Sequence, residues 1–180
     1  MLKVGVNLKE TGKNNNMSGQ IRFISDPHFG HRNIAIHRGF KDEFEMNEHI
    51  IAQWNKVVKK KDTTWILGDI TMEKGEYHYL DRLNGFKRII LGNHDKGNHT
   101  KVMLDYVNSI HGLSKFRSKE FGNIWLSHCP IFPKELEFRV NYNIHGHIHT
   151  GYVINDPRYI NVCMEVQDYT PKTLQELIKK

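Results

Sequence analysis

Apolar positions along the chain fall into short runs that end abruptly in glycine or polar residues, with helically spaced stretches between them. Ile89, Ile90 and Leu91 are the sharpest such run: they read as a buried strand, and Gly92 lets the backbone turn as it leaves a sheet. Residues 20–25, 63–67, 142–145 and 159–166 read as further strands, and 116–121 with 123–127 as a hairpin around Gly122. Ile50, Ile51, Trp54, Val57 and Val58 recur at i, i+1, i+4, i+7 and i+8, the apolar face of a helix over 44–60. Helices are also expected over 75–84, packing through Tyr79, Leu80 and Leu83, and over 101–109. The tail reads as a short helix with Thr170 as N-cap and Pro171 at its first position. Strands alternating with helices in this way need crossover connections and a sheet with parallel strands.

Leu2, Val4, Val6 and Leu8 alternate with polar or small residues, whereas Gly12 to Asn16 resemble a flexible link. Residues 1–16 are therefore read as an added edge strand or a loose leader, and 17–180 as one domain. A chain of 180 residues can bury a core without cross-links. Its two cysteines, Cys129 and Cys163, have no metal-ligand spacing, which argues against a disulfide framework and fits a reducing compartment. No apolar stretch approaches the roughly 20 residues of a membrane span, and no signal-peptide core opens the chain. The expectation is a cytoplasmic protein without a membrane partner. The net charge of +6 favours anionic partners, but Lys59, Lys60 and Lys61, the densest basic run, close the predicted helix and complement its dipole. Nucleic acid is thus a permitted partner without being indicated, and no oligomeric state is specified.

The polar residues after each run change the picture. Asp26-Pro27-His28, Gly68-Asp69 and Gly92-Asn93-His94-Asp95 follow three successive strands, at the carboxyl ends where open α/β sheets place ligands. Asp26 and His28 are two apart, so in extended geometry both face one side, and carboxylate with imidazole suits manganese, iron, nickel or zinc. Taken alone, such a pair flanking a proline is more often a turn, with Asp26 as local cap. His128 follows the next strand, and Gly146-His147-Ile148-His149 the one after, with His147 and His149 again spaced to meet a metal from one side of an extended segment. Any one of the twelve histidines also reads as a surface or hydrogen-bonded core residue. Five successive strand ends carrying ligand-type residues argue together for a site.

This ordered set resembles the calcineurin-like metallophosphoesterase family, over about residues 20–166 and with all five motifs in order. Residues 23–33, with Phe29-Gly30-His31, further resemble its small bacterial and phage phosphoesterases. The resemblance implies an α/β fold of four layers, an α/β/β/α sandwich of two sheets flanked by helices. It also implies two divalent ions, manganese foremost and iron, nickel, zinc or magnesium as alternatives. By motif, Asp26, His28 and His149 would hold the first ion, Asn93, His128 and His147 the second, and Asp69 would bridge both. His94 would stabilise the transition state or protonate the leaving oxygen, with Asp95 orienting its ring. Asn93, His31 and Arg32 are candidates for holding substrate phosphate; His37 and Arg38 read as solvated surface. Cys129 reads as a small buried residue, His145 as a support for the site, and Phe132 and Pro133 as pocket walls. The implied activity is hydrolysis of a small or nucleotide-like phosphodiester by hydroxide held between the metals. The alternatives are a nuclease, a phosphomonoesterase or pyrophosphatase, and, in another class, a non-catalytic metal-binding scaffold.

Overall fold

The computed structural model describes residues 19–72 and 75–179, so the expectations for residues 1–16 lie outside the described residues. Alternation along three strands divides the core into two layers. In β1 (Ile21–Ile24), β2 (Thr63–Leu67) and β3 (Phe86–Ile90), neighbouring apolar residues face opposite ways. Ile24, Ile66 and Ile89 pack against α1 (Arg32–His37) and α2 (Glu43–Val57) through Ala35, Met46, Ile50 and Trp54. Phe23, Trp65, Leu67 and Ile90 face instead a second sheet, meeting Ile124, Leu126, Ile144 and Val162.

The remaining elements are α3 (Thr100–Met103), β4 (Ser109–His111), β5 (Ser114–Ser118), β6 (Gly122–Leu126), β7 (Tyr142–His145), β8 (Tyr159–Asn161), β9 (Lys172–Thr173) and α4 (Leu174–Ile178). The first sheet has the order β4-β3-β2-β1-β9, parallel except for β9; the second runs β5-β6-β7-β8, with β6, β7 and β8 parallel. The fold is therefore the expected α/β sandwich of two packed sheets flanked by helices. Among the described residues, no helix is long and apolar enough to cross a membrane.

Four local expectations are corrected. The segment expected as a helix over 75–84 is a 3-10 helix, Tyr77–Arg82, because its buried residues Tyr77, Leu80 and Leu83 repeat every three positions and stack on one side at three residues per turn. The helix expected over 101–109 stops at Met103, and the chain then adds β4 beside β3. The hairpin turn is Lys119–Glu120–Phe121, pinned by the Ser118 hydroxyl accepting from the Glu120 and Phe121 N–H groups, so Gly122 opens β6 rather than forming the tip. Finally, the N-cap of the last helix is Thr173, not Thr170. Only Thr173 has a glutamate three residues on, and Thr173 and Glu176 cap each other reciprocally.

Candidate metal centre

The carboxyl ends of β1, β2, β3, β6 and β7 converge, and the chain leaves them in an unusual conformation. Asp26, His28, Asp69, His147 and His149 all have positive φ, between 45° and 71°. This corrects the expectation that Asp26–His28 and His147–His149 are extended pairs. A left-handed backbone is adopted at some energetic cost by residues other than glycine, and its concentration here marks a strained, functional region. Backbone pairing holds it: Asp26 N–H donates to the Gly68 carbonyl and His28 N–H to that of Asp69, both at 3.0 Å. Gly92 and Gly146 are required for close approach, since a Cβ on either would collide with the carboxylates of Asp69 and Asp26 respectively.

Two groups of donors result. In the first, His28 Nε2 and His149 Nε2 each lie 3.8 Å from Asp26 Oδ1, and His28 Nε2 lies 3.8 Å from Asp69 Oδ2. In the second, His128 Nε2 lies 3.4 Å from the same Asp69 Oδ2, 2.8 Å from Asn93 Oδ1 and 3.2 Å from His147 Nδ1. All seven residues expected as ligands thus fall into these two groups, and Asp69 Oδ2 lies within 3.8 Å of a histidine nitrogen of each.

The unused atoms of Asp26, Asp69, His128 and His149 are tied down, whereas both ring nitrogens of His28 are buried without a partner. Asp26 Oδ2 accepts from His147 N–H at 3.0 Å and from the Cys163 thiol at 3.2 Å. Asp69 Oδ1 accepts from His94 N–H at 2.9 Å. His128 Nδ1 meets the Leu67 carbonyl at 2.8 Å, and His149 Nδ1 donates to Glu165 Oε1 at 2.8 Å. Backbone carbonyls and carboxylates in these places orient an imidazole so that its other nitrogen is presented to a metal. Asp26 Oδ1 and His28 Nε2 are buried without a hydrogen-bond partner. Orphaned buried acceptors are costly, and imidazole, carboxylate and carboxamide donors converging on them fit a pair of divalent cations.

The charge states of His28 and Asp69 agree with that fit, whereas His128 and His149 would give up a proton on binding an ion. Burial pushes His28 down to about 3, against the pull of Asp69, so its ring is neutral near pH 7. Burial raises Asp69, but the His128 hydrogen bond, the charges of His128 and His28 and the His94 N–H together outweigh it and hold the carboxyl below its ordinary value. The hydrogen bond to Glu165 raises His149, and Asp69 raises His128 despite its burial.

Glu165 and Arg38 are the residues the sequence reading missed or misplaced. The Arg38 side chain is fully buried rather than solvated, bridging the Asp26 and Pro27 carbonyls and Glu165 Oε1 at 2.8, 3.2 and 2.7 Å. Burial alone would raise Glu165; bonds to His149 and Arg38 bring it down to about 2. The available signal was general: a ligand histidine needs an acceptor at its second nitrogen, but nothing in the spacing points to position 165.

Other candidates scatter. Asp95 is a correction: it does not orient the His94 ring. Its carboxylate is occupied by the N–H groups of Asp69, Ile70 and Gly92 at 2.8, 3.1 and 2.8 Å, because a buried acid beside three free backbone donors satisfies them first. Burial raises its pKa despite those bonds. The His94 ring stands edge-on to that of His28, with centroids 5.7 Å apart, and His31 stands 5.9 Å from His28 on another side. Arg32 is a second correction, with its side chain 66% exposed and paired with Glu43 rather than with the donors. Cys129 is exposed, not buried. His145 is buried with Nδ1 on the Gly146 carbonyl, outside the donor set, while Phe132 is 72% exposed beyond His128. His37 is exposed.

No family model matches the chain. The uncharacterized protein MJ1445 of Methanocaldococcus jannaschii is 34% identical over 174 residues, covering 89% of this chain and 90% of that protein. Among solved structures, the protein of unknown function AQ665 from Aquifex aeolicus is 28% identical with a TM-score of 0.71, covering 88% of this chain and 97% of that one. A novel archaeal phosphodiesterase shares the fold at 16% identity and a TM-score of 0.50, covering 80% of this chain and 82% of its own.

Proposed function

We propose that the chain, which shares the fold of a solved archaeal phosphodiesterase, is a calcineurin-like metallophosphoesterase and acts as a binuclear metal-dependent phosphodiesterase on a small or nucleotide-like diester. The observation that carries this reading is Asp69 Oδ2, 3.8 Å from His28 Nε2 and 3.4 Å from His128 Nε2, one oxygen between two donor groups. Asp26, His28 and His149 would hold one ion, Asn93, His128 and His147 the other, with Asp69 common to both. Two such ions, when bound, offset the charge on a phosphodiester and lower the pKa of water. Manganese suits this mixture of carboxylate, carboxamide and imidazole, as do iron, nickel, zinc and magnesium.

The chain's own groups divide the remaining work. His94 is tied by its backbone N–H to Asp69 Oδ1, and its ring stands 5.7 Å from that of His28, which supports a place for the imidazole beside the proposed phosphate. We assign its ring nitrogen to protonating the leaving oxygen. Asp95 acts on the backbone, tying the Gly92 turn to the loop that carries Asp69. The His31 ring stands 5.9 Å from that of His28, and we place it against the ester. Beside His149, a cavity of about 320 Å³ lined by Ile148, Tyr152, Val153 and Val166 is where we place the organic group of the substrate.

A nuclease reading draws on the +6 charge, but Lys59, Lys60 and Lys61 precede β2 and so lie at the end of that strand opposite Asp69. A scaffold reading would be favoured by a lost donor, and every motif donor is present in the group around Asp69. The test is hydrolysis of aryl phosphodiester and monoester by metal-stripped protein titrated with manganese, nickel, zinc or magnesium. Manganese-dependent diester cleavage is expected, falling about 10²–10⁴-fold in His94→Ala. A folded protein that binds two ions and cleaves neither ester would overturn the catalytic proposal.

A further inference from the structure

The second donor group differs from the first in one respect that the proposed hydrolysis does not use. Cys129 is exposed, and its sulfur forms a cluster with a ring nitrogen of His128 and one of His147, all within 4.8 Å of one another. The backbone carrying it is fixed from behind. The Ser127 hydroxyl donates to the Cys129 carbonyl at 2.7 Å, and the buried Asn143 amide donates to that hydroxyl at 2.9 Å. The thiol therefore faces the two imidazoles from a braced segment.

We propose that Cys129 is a further ligand of the second ion, its sulfur joining His128 and His147 so that the two halves of the centre prefer different metals. This inference rests on the metal-binding part of the proposed function and is indifferent to which ester is cleaved. Charge and softness both support it. The first half has two carboxylates, Asp26 and Asp69; the second has only the shared Asp69, together with neutral Asn93 and two imidazoles. A thiolate would give the second half the same formal charge, its proton passing to solvent as the metal binds. Sulfur also shifts preference from manganese and magnesium toward zinc and other softer ions. Cys163, although within 4.8 Å of ligand atoms of Asp26 and His149, is not equivalent. It is buried, and its S–H donates to Asp26 Oδ2, where it holds the carboxylate in place.

The experiment is cobalt binding to the full-length protein, followed by absorption and by competition with cadmium and manganese. Wild type should show a near-ultraviolet thiolate-to-cobalt charge-transfer band that is lost in Cys129→Ser. The same variant should bind cadmium at one of two sites at least about tenfold more weakly, with manganese affinity little changed. Cobalt binding without the band would overturn the inference. So would a band that survives Cys129→Ser, since the sulfur would then be that of Cys163. A protein that shows the Cys129-dependent band yet hydrolyses no ester would sustain the inference while defeating the proposed activity.

Discussion

The two halves of the donor cluster share one carboxylate and little else. In the first half, Asp26, His28 and Asp69 are 0, 2 and 2% exposed, and His149 is backed by Glu165 and the buried Arg38 guanidinium. In the second, His128 alone is buried, while Asn93, Cys129 and His147 are exposed. Desolvated donors with locked orientations release an ion slowly, and exposed ones allow exchange and approach of a substrate. On the proposed reading, the contrast predicts a division of labour: the first half would retain its ion, and the second would meet solvent and the phosphate of the ester. Each experiment below attacks that contrast.

The largest effect falls on the residue common to both halves. Asp69→Asn keeps the shape but removes charge from both donor groups, so binding should fall below two ions and hydrolysis should drop to background. That loss exceeds the roughly 10⁴-fold that removing a general acid reaches. Calorimetric metal titration beside the esterase assay checks it. If the variant still binds two ions, the shared-oxygen arrangement is wrong.

Glu165→Gln separates the halves. Without the carboxylate, His149 loses its charged partner and Arg38 keeps a buried charge that is only partly compensated. First-half affinity should fall about 10–100-fold and the metal-free protein should lose about 3 kcal/mol, with second-half affinity preserved. Equal weakening of both sites would show that the cluster behaves as one unit.

Acid should act chiefly through the same half. His28 is held at about 3 by burial, below its ordinary 6.5; the unfolded chain takes up the proton first. Its contribution is therefore complete above pH 6.5 and lost as pH falls toward 3. Glu165, at about 2 against 4.5, contributes above pH 4.5 and loses that contribution as pH falls toward 2. His149 and His128 are raised and work the other way, adding stability below 6.5 that is lost as pH rises through their folded values. Denaturation midpoints of metal-free wild type and His28→Gln across pH 7 to 4 isolate the first of these. Wild type should lose more on acidification, by at most about 1.4 kcal/mol per pH unit. Parallel curves would mean that His28 is not buried in the metal-free state.

The sequence carries the framework more fully than it carries this asymmetry. Alternation at Phe23/Ile24, Ile66/Leu67 and Ile89/Ile90 is a local pattern, so the two faces of the first sheet are legible in it. The ligand types at the strand ends are legible for the same reason. Thr173 was hidden by the Thr170-Pro171 pair, although the glutamate three residues after Thr173 is a local signal. Arg38, Glu165 and Asp95 depend on contacts between distant segments, and position in the chain does not reveal them. An arginine after a helix looks solvated until the strained Asp26–Pro27 carbonyls need a donor. Asp95 looks like a partner for the adjacent imidazole until three backbone N–H groups close around it.

The smallest expected effect asks on which side the substrate's organic group lies. The cavity with Tyr152 and Val153 adjoins His149, on the retained-ion side, whereas Phe132 stands exposed beyond His128 on the open side. Both aromatic groups offer apolar surface to a ligand, but Tyr152 shares its surface with Ile148, Val153 and Val166 around the cavity, and burial of apolar area is what yields binding energy. Tyr152→Ala should therefore raise KM for an aryl diester severalfold with kcat nearly unchanged, the mark of binding shared by ground and transition states. Phe132→Ala should change neither. The opposite result would put the organic group on the open side, beyond His128 and away from the cavity beside His149.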